Sequence, residues 1–171
     1  MKTIDDKINE IKKSLSTLDS LFDTGYGRAF KFREKRNSRT VISPAIVNEL
    51  NEHLIVKPSD RKKGVFFFYV QSKANAVDYG PEKQNQYSYG LDLVIWLNSK
   101  AILGKWKGLE SALVSIKTVL KDHPFNIDKI YYDADDIYNE FTLDEAEKQY
   151  FCHPYYGVKI SGTISIFENE C

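Results

Sequence analysis

The chain has 171 residues, 42% hydrophobic and 13% aromatic, enough for one buried core and too apolar for extended disorder. Lys+Arg and Asp+Glu number 24 each, so the formal net charge is zero. That balance argues against a general nucleic-acid binder and leaves little colloidal repulsion between copies.

Two cysteines, Cys152 and Cys171, stand nineteen positions apart and do not make a disulfide framework, so a reduced, cytoplasmic setting is expected. The start, Met1 to Asp6, carries early acids and no apolar stretch, and no signal peptide is expected there. The longest fully apolar run, Val65 to Val70, is too short to span a bilayer, so no membrane partner is expected. One domain over residues 1–171 is the expectation from length.

Ile4, Ile8, Ile11, Leu15, Leu18 and Phe22 recur at helical spacing and predict an opening amphipathic helix. Thr3 or Asp5 can cap its start, and Gly25 and Gly27 are expected to stop it in a turn. Arg28 to Phe32 predicts a short strand with Phe30 and Phe32 on one face, and Arg33 to Arg39 an exposed charged loop. Val41 to Pro58 is open between a helix begun at Ser43-Pro44 and an extended edge.

Val65 to Val70 predicts a strand covered on both faces, because such a run at an edge invites aggregation. A polar connection, 71–86, leads to a strand over Tyr87 to Leu97. Leu91, Leu93, Ile95 and Leu97 share one face there, and Asp92 falls on the other. The two runs are expected to pair antiparallel. Trp106, Leu109, Leu113, Ile116 and Leu120 predict a second helix, ended by His123-Pro124. A short strand at Ile127 to Tyr132 follows, then the acids Asp133, Asp135 and Asp136, and a cap-like Thr142-Leu143-Asp144-Glu145. In the last strand Tyr156, Val158, Ile160, Ile164 and Ile166 alternate with Lys159, Ser161, Thr163 and Ser165. That pattern predicts one buried face and one polar face, solvated or docked. The fold class expected is α+β, a mostly antiparallel sheet packed against two amphipathic helices.

Catalytic signals are weak. His53, His123 and His153 have no paired metal-ligand spacing, and Cys152 and His153 are strand neighbours that point apart. The acidic cluster with Glu140 lacks the pattern of a calcium loop. No nucleophile elbow is present, and Gly25-Tyr26-Gly27 follows a helix rather than a strand. No metal, cofactor or catalytic residue is expected. An enzyme reading would need Asp133, Asp136, His123 and tyrosines to converge in a deep pocket.

The basic stretch is the more informative feature. Arg28, Lys31, Arg33, Lys35, Arg36 and Arg39 stand against Glu34 alone, interleaved with Phe30 and Phe32. Three readings are open: a hairpin with a core Phe face, a grip on single-stranded nucleic acid, or a contact with another copy. In the last case Arg33, Lys35, Arg36 and Arg39 would meet Asp133, Asp135 and Asp136, from a segment with seven acids over 128–145.

The order of elements resembles the tail terminator (tail completion, minor tail) proteins of long-tailed phages and prophages. The resemblance rests on the opening helix, the hairpin, Ser43-Pro44-Ala45-Ile46-Val47, the strands Phe66 to Val70 and Tyr87 to Leu97, and the helix from Trp106 to Leu120. It continues through the strand from Ile127 and the last strand, from His153-Pro154-Tyr155-Tyr156-Gly157 to Ile164-Ser165-Ile166-Phe167. The inserts 71–86 and 133–150 are longer than in compact members. The resemblance implies a non-enzymatic virion protein that forms a ring, contacts tail-tube and head-connector proteins, and tolerates passing DNA. Lys159, Ser161 and Thr163 are then candidate docking residues on the last strand.

Overall fold

The computed structural model describes residues 3–71, 76–79, 85–102, 109–142, 149–152 and 154–167. The predicted start of a helix at Trp106, the cap over Leu143 to Glu145, and the Cys152–His153 and Cys171 readings fall wholly or partly outside these residues. The fold is α+β, with a mostly antiparallel sheet.

The opening helix α1 spans Ile4–Leu15. Thr3 caps it reciprocally with Asp6: each side chain accepts a hydrogen bond from the other's backbone N–H. The helix is shorter than the apolar stripe predicts. Its C-cap is Ser16, and Leu18, Leu21 and Phe22 reach the core from hydrogen-bonded turns instead.

The glycines do not form a turn. Gly25 and Gly27 lie inside a long strand, β1 (Thr24–Arg36), which pairs with β2 (Arg39–Val47). The expected loop at Arg33 to Arg39 is therefore mostly strand, closed by Asn37 and Ser38 at φ 48° and 65°. Positive φ at both central residues suits the twist of a two-residue hairpin, and Asn tolerates it well. The ambiguous stretch after Val41 is extended, continuing into a short β3 (His53–Ile55).

β4 (Gly64–Val70), β5 (Ala76–Tyr79), β6 (Asn85–Asn98), helix α2 (Leu109–Lys121), β7 (Phe125–Tyr131) and β8 (Tyr155–Phe167) complete the main elements. The sheet order is β3-β2-β1-β4-β6-β8-β7, with β5 added to β6. Only the β1–β4 pairing is parallel among those described. The predicted β4–β6 pair is antiparallel, with Phe67 opposite Val94.

Alternation in the strands sorts the core to two sides. Phe66, Phe68, Leu93, Ile95 and Ile160 meet the apolar faces of α1 and α2. Phe67, Tyr69, Val94 and Trp96 face the other way, into a second cluster with Ile137, Tyr138 and Phe141. Those residues belong to the segment after β7, which includes a short helix, α3 (Ala134–Ile137). So the acidic stretch carries one helical turn.

Two ladders outrun β4. Thr24 to Ala29 of β1 pair with β4, but Phe30 to Arg36 pair with β2 alone. This arm projects about 20 Å past the last β1–β4 pair, from the rise per strand residue. β6 also runs past Val70, paired there with β5 and β8.

β7 and β8 approach closely where their register slips between Ile127 and Lys129. A Cβ at Gly162 would lie 2.2 Å from the Asn126 carbonyl oxygen, a backbone atom that cannot step aside. Gly162→Ala should therefore destabilise the fold by about 1–3 kcal/mol in urea unfolding. Gly27→Ala, whose Cβ would meet Asn9 at an ordinary 3.6 Å, should stay within about 0.5 kcal/mol of wild type.

Candidate functional site

The arm places the basic residues. Arg33, Lys35 and Arg39 are exposed, whereas Arg36 is partly covered and paired with Glu34 along the same strand. Phe30 and Phe32 share a face, but that face is not core as the hairpin reading expects. Phe30 is 41% exposed beneath the Arg28 guanidinium, 4.9 Å from the ring centroid, and Phe32 stacks on His53 at 5.1 Å. Val47, Leu54 and Leu50 are also exposed near the arm, Leu50 at 77%. A groove of about 340 Å³ runs between the arm's base and α1, with Arg28 tied to Asp5 at 3.5 Å.

The acids sit at the opposite side of the sheet. Asp133 stands at the N-cap position of α3 without a side-chain capping hydrogen bond, and Asp135 and Asp136 are exposed on the helix, directly after β7. From there the chain crosses the second face of the sheet towards the arm. Thr142 and Ile42 exchange two hydrogen bonds, at 2.8 and 3.2 Å, and Glu140 pairs with Lys31. The acidic and basic stretches thus touch inside one chain at Lys31–Glu140, while Asp133, Asp135 and the arm's outer cations remain far along their elements. The Glu140 hydrogen bond holds the Lys31 ammonium above its ordinary pKa of 10.5.

Under this crossing segment lies a polar cavity of about 270 Å³. It opens where β4 ends, beside Gln71. The two neighbouring strands contribute Asp92 from β6 and Lys159 and Ser161 from β8; Asn139 and Glu140 roof it, and Tyr131 closes one side. The polar face of β8 is consequently not an open docking surface at these positions. Lys159 is 3% exposed and Ser161 7%, because the α3 segment covers them. Thr163, further along, is partly exposed and hydrogen-bonded to Asp128 at 3.3 Å.

Asp92 is a buried carboxylate whose Oδ1 accepts from the Ser161 hydroxyl and, at 2.8 Å, from the Gln71 amide. Lys159 donates to the Asp136 backbone carbonyl and to Asn139 Oδ1, and its Nζ lies 4.5 Å from the Tyr131 ring centroid. Burial pushes the Lys159 pKa down, and the nearby carboxylates of Asp92, Asp136 and Glu140 pull it back only in part.

The sequence marked Asp92 as lying off the apolar face of β6 but gave no sign of its partners. Gln71 and Ser161 come from separate stretches, and only the fold brings them together. His53 and His123 do not enter the cavity; His123 meets Ser14 at 2.9 Å on the helix side. Among the described residues no three His, Cys, Asp or Glu side chains converge as metal ligands. No described helix is long and apolar enough to cross a membrane. The chain matches no protein-family model and shows no match to a curated protein sequence.

A lysine with a lowered folded pKa binds fewer protons than the unfolded chain in the window between that value and 10.5. Stability contributed at this site therefore rises with pH across the window. Lys31, shifted upward, acts in the opposite sense and only above 10.5. Relative to Lys159→Met, the wild type should gain unfolding free energy as pH climbs toward 10.5. Urea titrations below and inside the window test this; a constant gap between the two proteins refutes it.

Proposed function

We propose that the protein is a non-enzymatic assembly subunit of the phage tail-terminator type, whose copies join head to tail into a ring. One observation carries the reading: exposed cations on the β1–β2 arm and exposed acids after β7 arise from opposite ends of the strand order of one neutral subunit, with Lys31 and Glu140 paired within the chain between them. A surface of this kind matches itself only by translation or rotation to the next copy, as a heterologous ring contact requires. Arg33, Lys35 and Arg39 of one copy would face Asp133, Asp135 and Asp136 of the next. The exposed Phe30, Val47 and Leu54 near the arm supply apolar area for the centre of such a contact. The element order, from α1 and the hairpin to β8, supports the same reading. Tail-tube and head-connector proteins are the partners it implies, in the cytoplasm during assembly and in the virion afterwards.

A second reading has one feature in its favour. Phe30, exposed beside Arg28, is the kind of pair on which an unstacked base can rest, so the hairpin 28–39 would bind single-stranded nucleic acid. Steeply salt-dependent binding of single-stranded DNA, lost in Phe30→Ala, would favour it over the ring.

The ring is tested by charge reversal. Arg33, Lys35 and Arg39 changed together to Glu should weaken self-association by up to about a hundredfold, since exposed pairs contribute up to ~1 kcal/mol each. Changing Asp133, Asp135 and Asp136 to Lys in the same chain should restore it. Light-scattering mass, alone and with tail-tube protein added, is the readout. Mass that ignores both changes under both conditions removes the proposal.

A further inference from the structure

The cavity under the α3 segment holds two opposite charges that do not neutralise each other. Asp92 is 4% exposed and Lys159 3% exposed. In the β6–β8 register Ser161 stands opposite Asp92, and Lys159 stands opposite Val94. The backbones of Asp92 and Lys159 are therefore one diagonal step apart on the same sheet face, about 7 Å by strand geometry. Each is held from elsewhere: Asp92 by Ser161 and Gln71, Lys159 by the Asp136 carbonyl and Asn139. No direct ion pair joins them, although both line the same space of about 270 Å³.

Buried opposite charges left apart carry desolvation without full Coulombic return. A guest with a negative and a positive end at matching separation would complete both. An anion alone would meet the Asp92 and Glu140 carboxylates, and a cation alone would meet Lys159. We propose that the cavity is a binding site for a small zwitterion of the α-amino-acid class. Its carboxylate lies toward Lys159 and Asn139, and its ammonium toward Asp92 and Glu140. Among the described residues the lining is polar, with Tyr131 its one aromatic and no aliphatic side chain, so small or polar side chains are selected over branched apolar ones.

The cavity uses Asp136 through its backbone carbonyl and not through the carboxylate assigned to the ring contact, so the site stands or falls without the ring reading. The test is titration of the full chain with glycine, serine and asparagine, and with propionate and ethylamine as single-charge controls. Amide and side-chain shifts at Tyr131, Asn139 and Ser161 are followed by NMR. Saturable binding of at least one of the three amino acids is expected, with each control at least about tenfold weaker. Lys159→Met and Asp92→Asn should abolish it. Because those changes touch buried groups and can compromise folding, Asn139→Ala and Glu140→Gln on the roof provide the second arm; each should weaken binding severalfold in a chain that still folds. Absence of saturable shifts at these residues up to about 10 mM overturns the proposal. So does binding of propionate or ethylamine as tight as that of the amino acids, or roof variants that bind as wild type does.

Discussion

Phe66, Phe67 and Phe68 follow one another on β4, and all three are buried. Consecutive strand residues point to opposite faces, so this run can be satisfied only if both sides of the sheet are covered. Full burial of a Phe side chain contributes about 1.5–3 kcal/mol, which makes cover on either side worth the ordering of the segment that supplies it. The helices α1 and α2 supply it on one side, meeting Phe66 and Phe68. On the other, Phe67 packs against Trp96 and Phe141, with Tyr138 and Phe151 extending the aromatic cluster. The stretch after β7 is held on the sheet by this requirement.

Both candidate surfaces follow from that cover. The same segment that shields Phe67 continues over β6 and β8, where the floor changes from Val94 and Trp96 to Asp92, Ser161 and Lys159. Apolar contact gives way there to hydrogen bonds to Asp136 and Asn139, and the space left between floor and roof is the polar cavity. Because β4 stops at Val70, β1 has no main-sheet partner beyond Ala29 and continues as the arm. The end of a short central strand thus sets where the arm begins.

The sheet and its helices were legible wherever one periodicity ruled: the α1 stripe, the all-apolar β4, and the alternation of β8. The arm was not. Arg33 to Arg39 has the composition of a loop, and its strand character comes from cross-strand pairing with β2 and from two residues able to hold positive φ. Leu18 and Phe22 kept helical spacing after the helix had ended, because turns can present apolar side chains at similar intervals. The polar face of β8 was open between solvated and docked, since alternation reports which side chains share a face and nothing about what lies over it. Asp92 was visible as an exception in β6, yet its hydrogen-bond partners, Gln71 and Ser161, lie in two other stretches of chain.

Arm and cavity meet at one pair, Lys31 with Glu140. Lys31 stands at the root of the arm, and Glu140 is part of the cavity roof, so a change at either end reaches the other through this contact. Its reach is limited. Both side chains are about one-third exposed, and exposed ion pairs are worth about 0–1 kcal/mol. The arm root is held as well by the two Thr142–Ile42 hydrogen bonds and by Phe141 against Tyr69 at 5.1 Å, none of which involves a charge. Losing the Lys31–Glu140 pair would leave those contacts in place. The arm's position is therefore set by backbone pairing and aromatic packing, and the two surfaces behave as nearly independent parts of one sheet.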